Sequence, residues 1–358
     1  PLNPAGRTML VTGSERRSAG MGIAPRADRI ARTARLHALD GCGARVNMVD
    51  GRKVRHTGIM TPQRTTRLLR AALSTLYYSR AYRVASPLTR GVGQILMLHH
   101  VRPETGSAGF SPNRLLSVTP QFLEHVIGQV LDAGFDIVSL DEAHHRLKPG
   151  HSARPFTCFT FDDGYRDNLQ FAYPIFRRRN LPFAIYVPTD FPDGAGDLWW
   201  LALEKVVDSV TELRTAIDGE VRIYGCATAA EKDRTFREVY WWLRSIDETE
   251  ARRYVRELSA KTGVDIAGMC RELVMTWDEI RRLAADPLVT IGAHTRRHYA
   301  LAKLTALEAE AEMSDSIDRL QGELGRRPEH FSYPYGCPHS AGAREFAMAA
   351  RLGMKTAV

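Results

Sequence analysis

Hydrophobic and polar positions change rhythm three times along the chain. In residues 1–59 the apolar side chains are scattered among Gly, Arg and Ala without a period. Such a segment offers no continuous apolar face to bury, and it is expected to be a largely disordered leader. Residues 60–93 have a different texture. Leu68, Leu69, Ala72, Leu73, Leu76 and Tyr77 recur at helical spacing, with Arg64, Arg67, Arg70 and Arg80 interleaved. This predicts a short basic amphipathic helix and linker that docks on the following domain or lies on a membrane surface. Met60, at the start of this stretch, could be the true start of the protein.

From residue 94 to 358, short apolar runs alternate with helical ones. Gln94–Leu98, Asp136–Leu140, Phe156–Phe161, Pro182–Val187, Leu288–Ala293, His330–Tyr333 and Met354–Val358 are apolar and mostly β-branched or aromatic, as strands are. Pro120–Ala133, Asn168–Arg179 and Thr305–Leu324 carry helical periodicity between them. Alternation of this kind predicts an α/β domain with a parallel sheet, open or closed into a barrel. Residues 197–286 break the alternation. They read as helical and hold the tryptophan pairs Trp199–Trp200 and Trp241–Trp242, so a helical insertion is expected there.

Charge sharpens this division. Residues 1–93 hold 17 Lys and Arg against four acids, a net of +13 out of +8 for the whole chain, which leaves the remainder at −5. The main domain therefore lacks the basic face that a nucleic-acid partner requires. The leader could make weak contact with an anionic membrane surface. Five cysteines without a Cys-x-x-Cys pair read as reduced thiols. With no membrane-length apolar run and no apolar signal core, a cytoplasmic location is expected, with membrane association through the leader as the variant.

Four strand ends carry candidate chemistry. Asp162 and Asp163 end an apolar run and precede Gly164. Neighbours in a strand point to opposite faces, so both carboxylates can serve one site only where the chain turns. An aspartate there can also simply cap a helix. His294 and His298, spaced i and i+4, would face one side of a helical turn and could grip one metal. With an aspartate from another strand end, His/His/Asp ligation suits a hydrolytic Zn²⁺ or a similar divalent ion. Ser332-Tyr333-Pro334-Tyr335-Gly336 forms a turn that could aim a backbone N–H into a cleft. Finally, His99 and His100 end the first strand, and alternation should send one of them into the site, where it could protonate a leaving amine.

The elements Thr160-Phe161-Asp162-Asp163-Gly164, His294-Thr295-Arg296-Arg297-His298 and Tyr333-Pro334-Tyr335-Gly336, in this order and spacing, resemble the motifs of the NodB-like polysaccharide deacetylases, carbohydrate esterase family 4. The resemblance covers about residues 94–358. It implies a distorted (β/α)7 barrel, Asp162 as general base, Asp163, His294 and His298 as ligands of a divalent metal with Zn²⁺ the first expectation, and a Tyr335 backbone N–H for the oxyanion. Two departures stand out. Ser332 occupies the place where many members carry an arginine against the base. The late histidine that serves many members as general acid does not occur before Val358. A subgroup with a rearranged barrel order uses a histidine in an early strand instead, and Leu96-Met97-Leu98-His99 resembles that arrangement, which makes His99 the expected acid. The function implied is hydrolysis of N-acetyl groups on N-acetylglucosamine-containing poly- or oligosaccharides. The alternatives are a barrel amidohydrolase acting on a small amide, and a carbohydrate-binding protein with a decayed site.

Overall fold

In the computed structural model, the structure describes residues 71–81 apart from 73 and 77, then 91–104, 109–149 and 154–358. The 1–59 leader and most of the expected amphipathic helix lie outside the described residues. The described residues fall in two units, 71–81 and 91–358. In the first, residues 71–78 are helical where described, and Leu76 and Tyr78 are exposed. Among the described residues no helix is long and apolar enough to cross a membrane, and Cys158, Cys226, Cys270 and Cys337 are free thiols.

The second unit is built on seven strands: β1 (Gly93–Leu98), β2 (Asp136–Ile137), β3 (Phe156–Phe161), β4 (Phe183–Val187), β5 (Val289–Ala293), β6 (His330–Phe331) and β7 (Thr356–Ala357). All pairings are parallel and run β1-β3-β4-β5-β6-β7, with β2 beside the start of β3. The sheet curls into a distorted half-barrel. Four of the seven apolar runs match their strands closely. The runs at 136–140, 330–333 and 354–358 hold only two strand residues each; Leu140 already starts a helix, while the last two runs go on bonding past their strands, Val358 N donating to the Phe331 carbonyl and Tyr333 N to the Val358 carbonyl.

Strand alternation sorts the side chains onto two cores. Phe159, Phe161, Ile185, Val187, Ile291 and Phe331 face outward and bury against helices α1 (Pro120–Asp132), α3 (Tyr173–Arg178), α8 (Trp277–Ala284) and α9 (Ala306–Leu324). Ile95, Phe156, Cys158, Ala184 and Tyr186 face inward and meet Val358. Both faces of β3 are covered, so all six of its residues are buried, as a parallel-sheet strand requires. The curl brings β7 toward helix α2 (Leu140–Arg146), where Lys355 Nζ donates to Asp141 Oδ1 at 2.8 Å.

The insertion is not all helical. Helix α4 (Trp199–Ser209) leads into an antiparallel hairpin, Glu212–Ile217 with Glu220–Gly225, and then α5 (Ala229–Ser245), α6 (Glu248–Thr262) and α7 (Ile266–Leu273). The hairpin turns at Asp218-Gly219, both with positive φ (53° and 81°), the Asp-Gly pairing that a tight two-residue turn favours. That dipeptide is the sequence signal for the hairpin. These elements share a core of their own that includes Trp199, Leu203, Phe236, Val239 and Val255. Helix α8 instead packs on the barrel, so the insertion's own core closes at Val274.

The barrel interior leaves no slack beside Tyr186. In the β4–β5 register Tyr186 pairs with Gly292, and a Cβ built on Gly292 would sit 2.5 Å from the Tyr186 ring and 2.9 Å from the His330 carbonyl. Gly292→Ala should therefore lower unfolding stability by about 1–3 kcal/mol, the usual cost of overpacking. A shifted urea midpoint with an unchanged slope would show it.

Candidate active site

Outward Phe161 is followed by inward Asp162, so alternation alone delivers the first carboxylate to the barrel mouth. The second arrives by a backbone inversion. Asp163 has φ +70° and Gly164 φ +63°. Two successive left-handed residues turn the chain so sharply that Asp163 also reaches the cleft. Left-handed backbone costs a non-glycine residue about 1–3 kcal/mol and persists only where the surroundings enforce it. Here the Gly164 carbonyl accepts from Met275 N at 3.0 Å, which ties the turn to the end of the insertion.

His294 continues the inward row of β5, next to outward Ala293. The expected helical turn between the two histidines is absent. Residues 294–298 form a loop in which Thr295 and His298 take positive φ (62° and 60°). This loop, rather than the helical i,i+4 geometry, brings the rings to 4.9 Å between centroids. Thr295 Oγ1 accepts from His298 N at 3.0 Å. The buried Glu312 carboxylate on α9 accepts from Arg296 N and Arg297 N at 3.2 and 2.9 Å.

Asp163, His294 and His298 converge, with one potential ligand atom from each within 4.8 Å of the others. Asp163 Oδ1 lies 3.3 Å from His298 Nε2 and 3.7 Å from His294 Nε2. Two observations fit a cation at their centre. Asp163 Oδ1 is buried without a hydrogen-bond partner, an uncommon state that an ion would relieve. His294 Nδ1 donates to the Ser332 carbonyl at 2.8 Å, which fixes the tautomer and leaves the Nε2 lone pair aimed inward, as a metal-binding histidine needs.

Burial sets the protonation of the group. It raises Asp163 to about 7 and, with the Asp163 charge beside it, lifts Asp162 well above the carboxylate range. It lowers His294 to about 4 and takes His298 well down, helped by His294 and by the nearby Arg252. Near neutral pH the two imidazoles are thus neutral, ready to donate lone pairs, while the carboxyls hold protons that a cation would displace.

The third turn completes the wall. Ser332 Oγ donates to Asp162 Oδ2 at 3.2 Å. Asp162 Oδ1 has no partner. Tyr335 has φ +68°, and its ring packs edge-on to His298 at 4.7 Å. Among the described residues its backbone N–H meets no acceptor. Its hydroxyl, which the sequence did not single out, accepts from Trp199 Nε1 at 3.0 Å and Arg252 Nη2 at 3.1 Å.

The two histidines of the first strand part company. His99 extends the inward row, and the pairing of Leu98 with Phe161 sets it beside Asp162. Burial, with His100 and His294 nearby, pulls His99 down to about 3. His100 turns away. Its Nδ1 donates to Asp167 Oδ2 at 2.6 Å and its ring stacks on Tyr165 at 3.6 Å. Tyr165 and Asp167, which directly follow the first turn, and Trp200, 5.0 Å from the His298 ring, were not singled out in the sequence; only folding shows that the first two meet His100 and the third covers His298.

The family signature of polysaccharide deacetylases matches residues 248–357, a span that takes in His294, His298, Ser332 and Tyr335. No curated protein matches the chain in sequence. Similar solved structures include the Streptococcus pyogenes deacetylase PplD in complex with acetate, 18% identical with TM-score 0.44 over 73% of this chain and 80% of that one. A de-N-acetylase from Aggregatibacter actinomycetemcomitans is 16% identical, TM-score 0.43, over 73% and 85%. IcaB from Ammonifex degensii is 16% identical, TM-score 0.41, over 73% and 80%. Asp162 and Asp163 lie upstream of the matched span and meet its histidines at one barrel mouth. Over residues 248–357, under a third of its length, the chain is similar to the polysaccharide deacetylase family.

Proposed function

We propose that this protein hydrolyses the N-acetyl groups of N-acetylglucosamine units in a poly- or oligosaccharide, using one divalent ion, Zn²⁺ first, held by Asp163, His294 and His298. The observation that carries this reading is the convergence of those three buried side chains beside a second carboxylate with a free oxygen. When bound, the ion supplies Lewis acidity to the acetamide carbonyl and to a water. The chain's residues do the rest. Asp162 Oδ1 takes the proton of the attacking water, while Ser332 holds Oδ2 in place. The water oxygen bonds to the acetyl carbon as the Tyr335 N–H faces the developing oxyanion. The C–N bond then breaks, giving acetate and a free amine once the amine has gained a proton.

His99 is the proposed donor for that amine. Its depressed pKa makes the resting imidazole neutral, so it must acquire a proton before it can give one. Asp162, its neighbour across the β1–β3 pairing, collects a proton in the first half of the reaction, and that proton passes through His99 to the amine in one concerted shift as the C–N bond breaks, because Asp162 holds a proton more tightly than His99 does. The net negative charge of residues 94–358 suits a neutral or cationic glycan.

Three outcomes follow from these roles. Asp162→Asn should cut acetate release from N-acetylglucosamine oligomers by roughly 10²–10⁴-fold, the usual worth of a general base, with metal content measured by atomic emission nearly unchanged. Loss of the metal along with the activity would mean the two aspartates trade roles. His99→Ala should lower turnover and leave metal binding intact, whereas His100→Ala should chiefly lower the melting temperature, since it breaks the Asp167 pair and the Tyr165 stack. Metal affinity should fall as pH drops. Asp163 must be ionised to bind and holds its proton below about 7, while His294, at about 4, is already neutral there. Calorimetric titration with Zn²⁺ should therefore show affinity dropping about fivefold from pH 7 to 6 and nearing tenfold per unit below that, with protons released on binding. An affinity flat across that range would contradict this assignment.

A further inference from the structure

Behind the mouth, on the side of Tyr335 and His298 turned toward the insertion, lies a buried cluster that no step above uses. Glu248 and Arg252 stand one turn apart on α6 and are both almost fully buried. Glu248 accepts from Arg252 Nη2 at 3.0 Å and from Lys303 Nζ at 3.0 Å, with Arg244 Nη1 at 3.8 Å. Three cations from three segments therefore share one carboxylate. Arg252 Nη2 also donates to the Tyr335 hydroxyl at 3.1 Å and to the His298 carbonyl at 3.2 Å. The Arg244 guanidinium lies 3.6 Å over the Tyr335 ring.

We propose that Arg252, oriented by Glu248, is a positioning residue for catalysis: it locks the Tyr335 turn and the His298 loop into one rigid wall, so that the oxyanion donor and a metal ligand keep a fixed separation. Three features favour this over ordinary packing. A buried guanidinium is costly unless its hydrogen bonds are well directed, and two of its contacts end on the two loops that carry site residues. Both residues it touches hold positive φ, +60° at His298 and +68° at Tyr335, conformations that need an outside restraint. Only one anion faces the three cations of the cluster, so net positive charge remains behind the turn where negative charge develops. The insertion thereby becomes part of the active site.

The inference rests on the deacetylase reading, and the test separates the two. In the first arm, the full-length metal-free protein is compared with Arg252→Gln and Tyr335→Phe by amide hydrogen exchange. Both variants should quicken exchange by roughly tenfold or more in residues 294–299 and 332–336, with the rest unchanged, as local loosening does. In the second arm, Zn²⁺-loaded proteins are assayed on an N-acetylglucosamine oligomer. Arg252→Gln should lose about ten- to a hundredfold in kcat, the scale of a displaced catalytic group, with KM within about twofold. Arg252→Lys, which keeps the charge without the fork, should recover part of the loss. The double variant should fall short of the sum of the two losses, because the singles share the Arg252–Tyr335 contact while each also removes others, among them the 3.3 Å bond from the Tyr335 hydroxyl to the His298 carbonyl. Unchanged exchange in both variants, full additivity, or wild-type kcat in Arg252→Gln would overturn the proposal. Should Arg252→Gln fail to fold, Arg252→Lys decides both arms, because it leaves in place the direct 3.3 Å bond from the Tyr335 hydroxyl to the His298 carbonyl. A wild-type protein releasing no acetate would count against the deacetylase reading, while the exchange arm still judges the lock.

Discussion

The site depends on one backbone event, the reversal of the chain at Asp163 and Gly164. A regular strand would send two adjacent carboxylates to opposite faces, one into the barrel and one among the helices. Two left-handed residues in succession put both at the same mouth. Glycine makes the second of these inexpensive, but Asp163 has no such freedom. What holds it is the packed ground around the turn: the buried β3 strand beneath it, and Met275 fastening the Gly164 carbonyl from the end of the insertion. The carboxylate pair is therefore a product of the fold's rigidity as much as of its own residues.

The electrostatics follow from that placement. Five titratable side chains, Asp162, Asp163, His294, His298 and His99, crowd a space with little water, and burial pushes each toward its neutral form. A divalent cation held by Asp163, His294 and His298 would oppose this for the carboxylates, since its charge favours the ionised form. Around this centre the polar groups are held from outside it. Ser332 contacts both Asp162, through its hydroxyl, and His294, through its carbonyl, so one residue of the third motif fixes members of the first two. Glu312 secures the histidine loop from α9 through two backbone N–H groups. Strained backbone at four positions, Asp163, Thr295, His298 and Tyr335, is concentrated where rigidity serves catalysis.

The insertion changes what the barrel would otherwise be. Its aromatic core meets the mouth at Trp199, Trp200 and Tyr335, and its end is stitched to the first motif. A bare half-barrel would leave the Tyr335 and His298 loops open to solvent. With the insertion in place, those loops bond to Arg252 of α6, and the Tyr335 ring lies under Arg244 of α5.

Much was legible from the sequence alone. Apolar runs of five or six residues, such as Phe156–Phe161 and Val289–Ala293, located strands because a strand buried on both faces must be continuously apolar. Inward and outward parity followed from period two, and it separated His99 from His100 correctly in direction. The residue types at the strand ends named the chemistry, since few other combinations can hold a hydrolytic ion. What the sequence left undecided is whatever depends on contact between distant segments. It gave His294 and His298 a helical turn, whereas a loop pinned by Glu312 does the work, and no local spacing reports a partner on a later helix. It read the insertion as helical, although Asp218-Gly219 carried a hairpin turn within it. Nothing in it placed Asp167 against His100 or Arg252 against Tyr335. The strand ends and their chemistry are short-range properties written in consecutive residues. The locks that hold them in register are long-range, and only the tertiary structure decides which side chain arrives where a charge is needed.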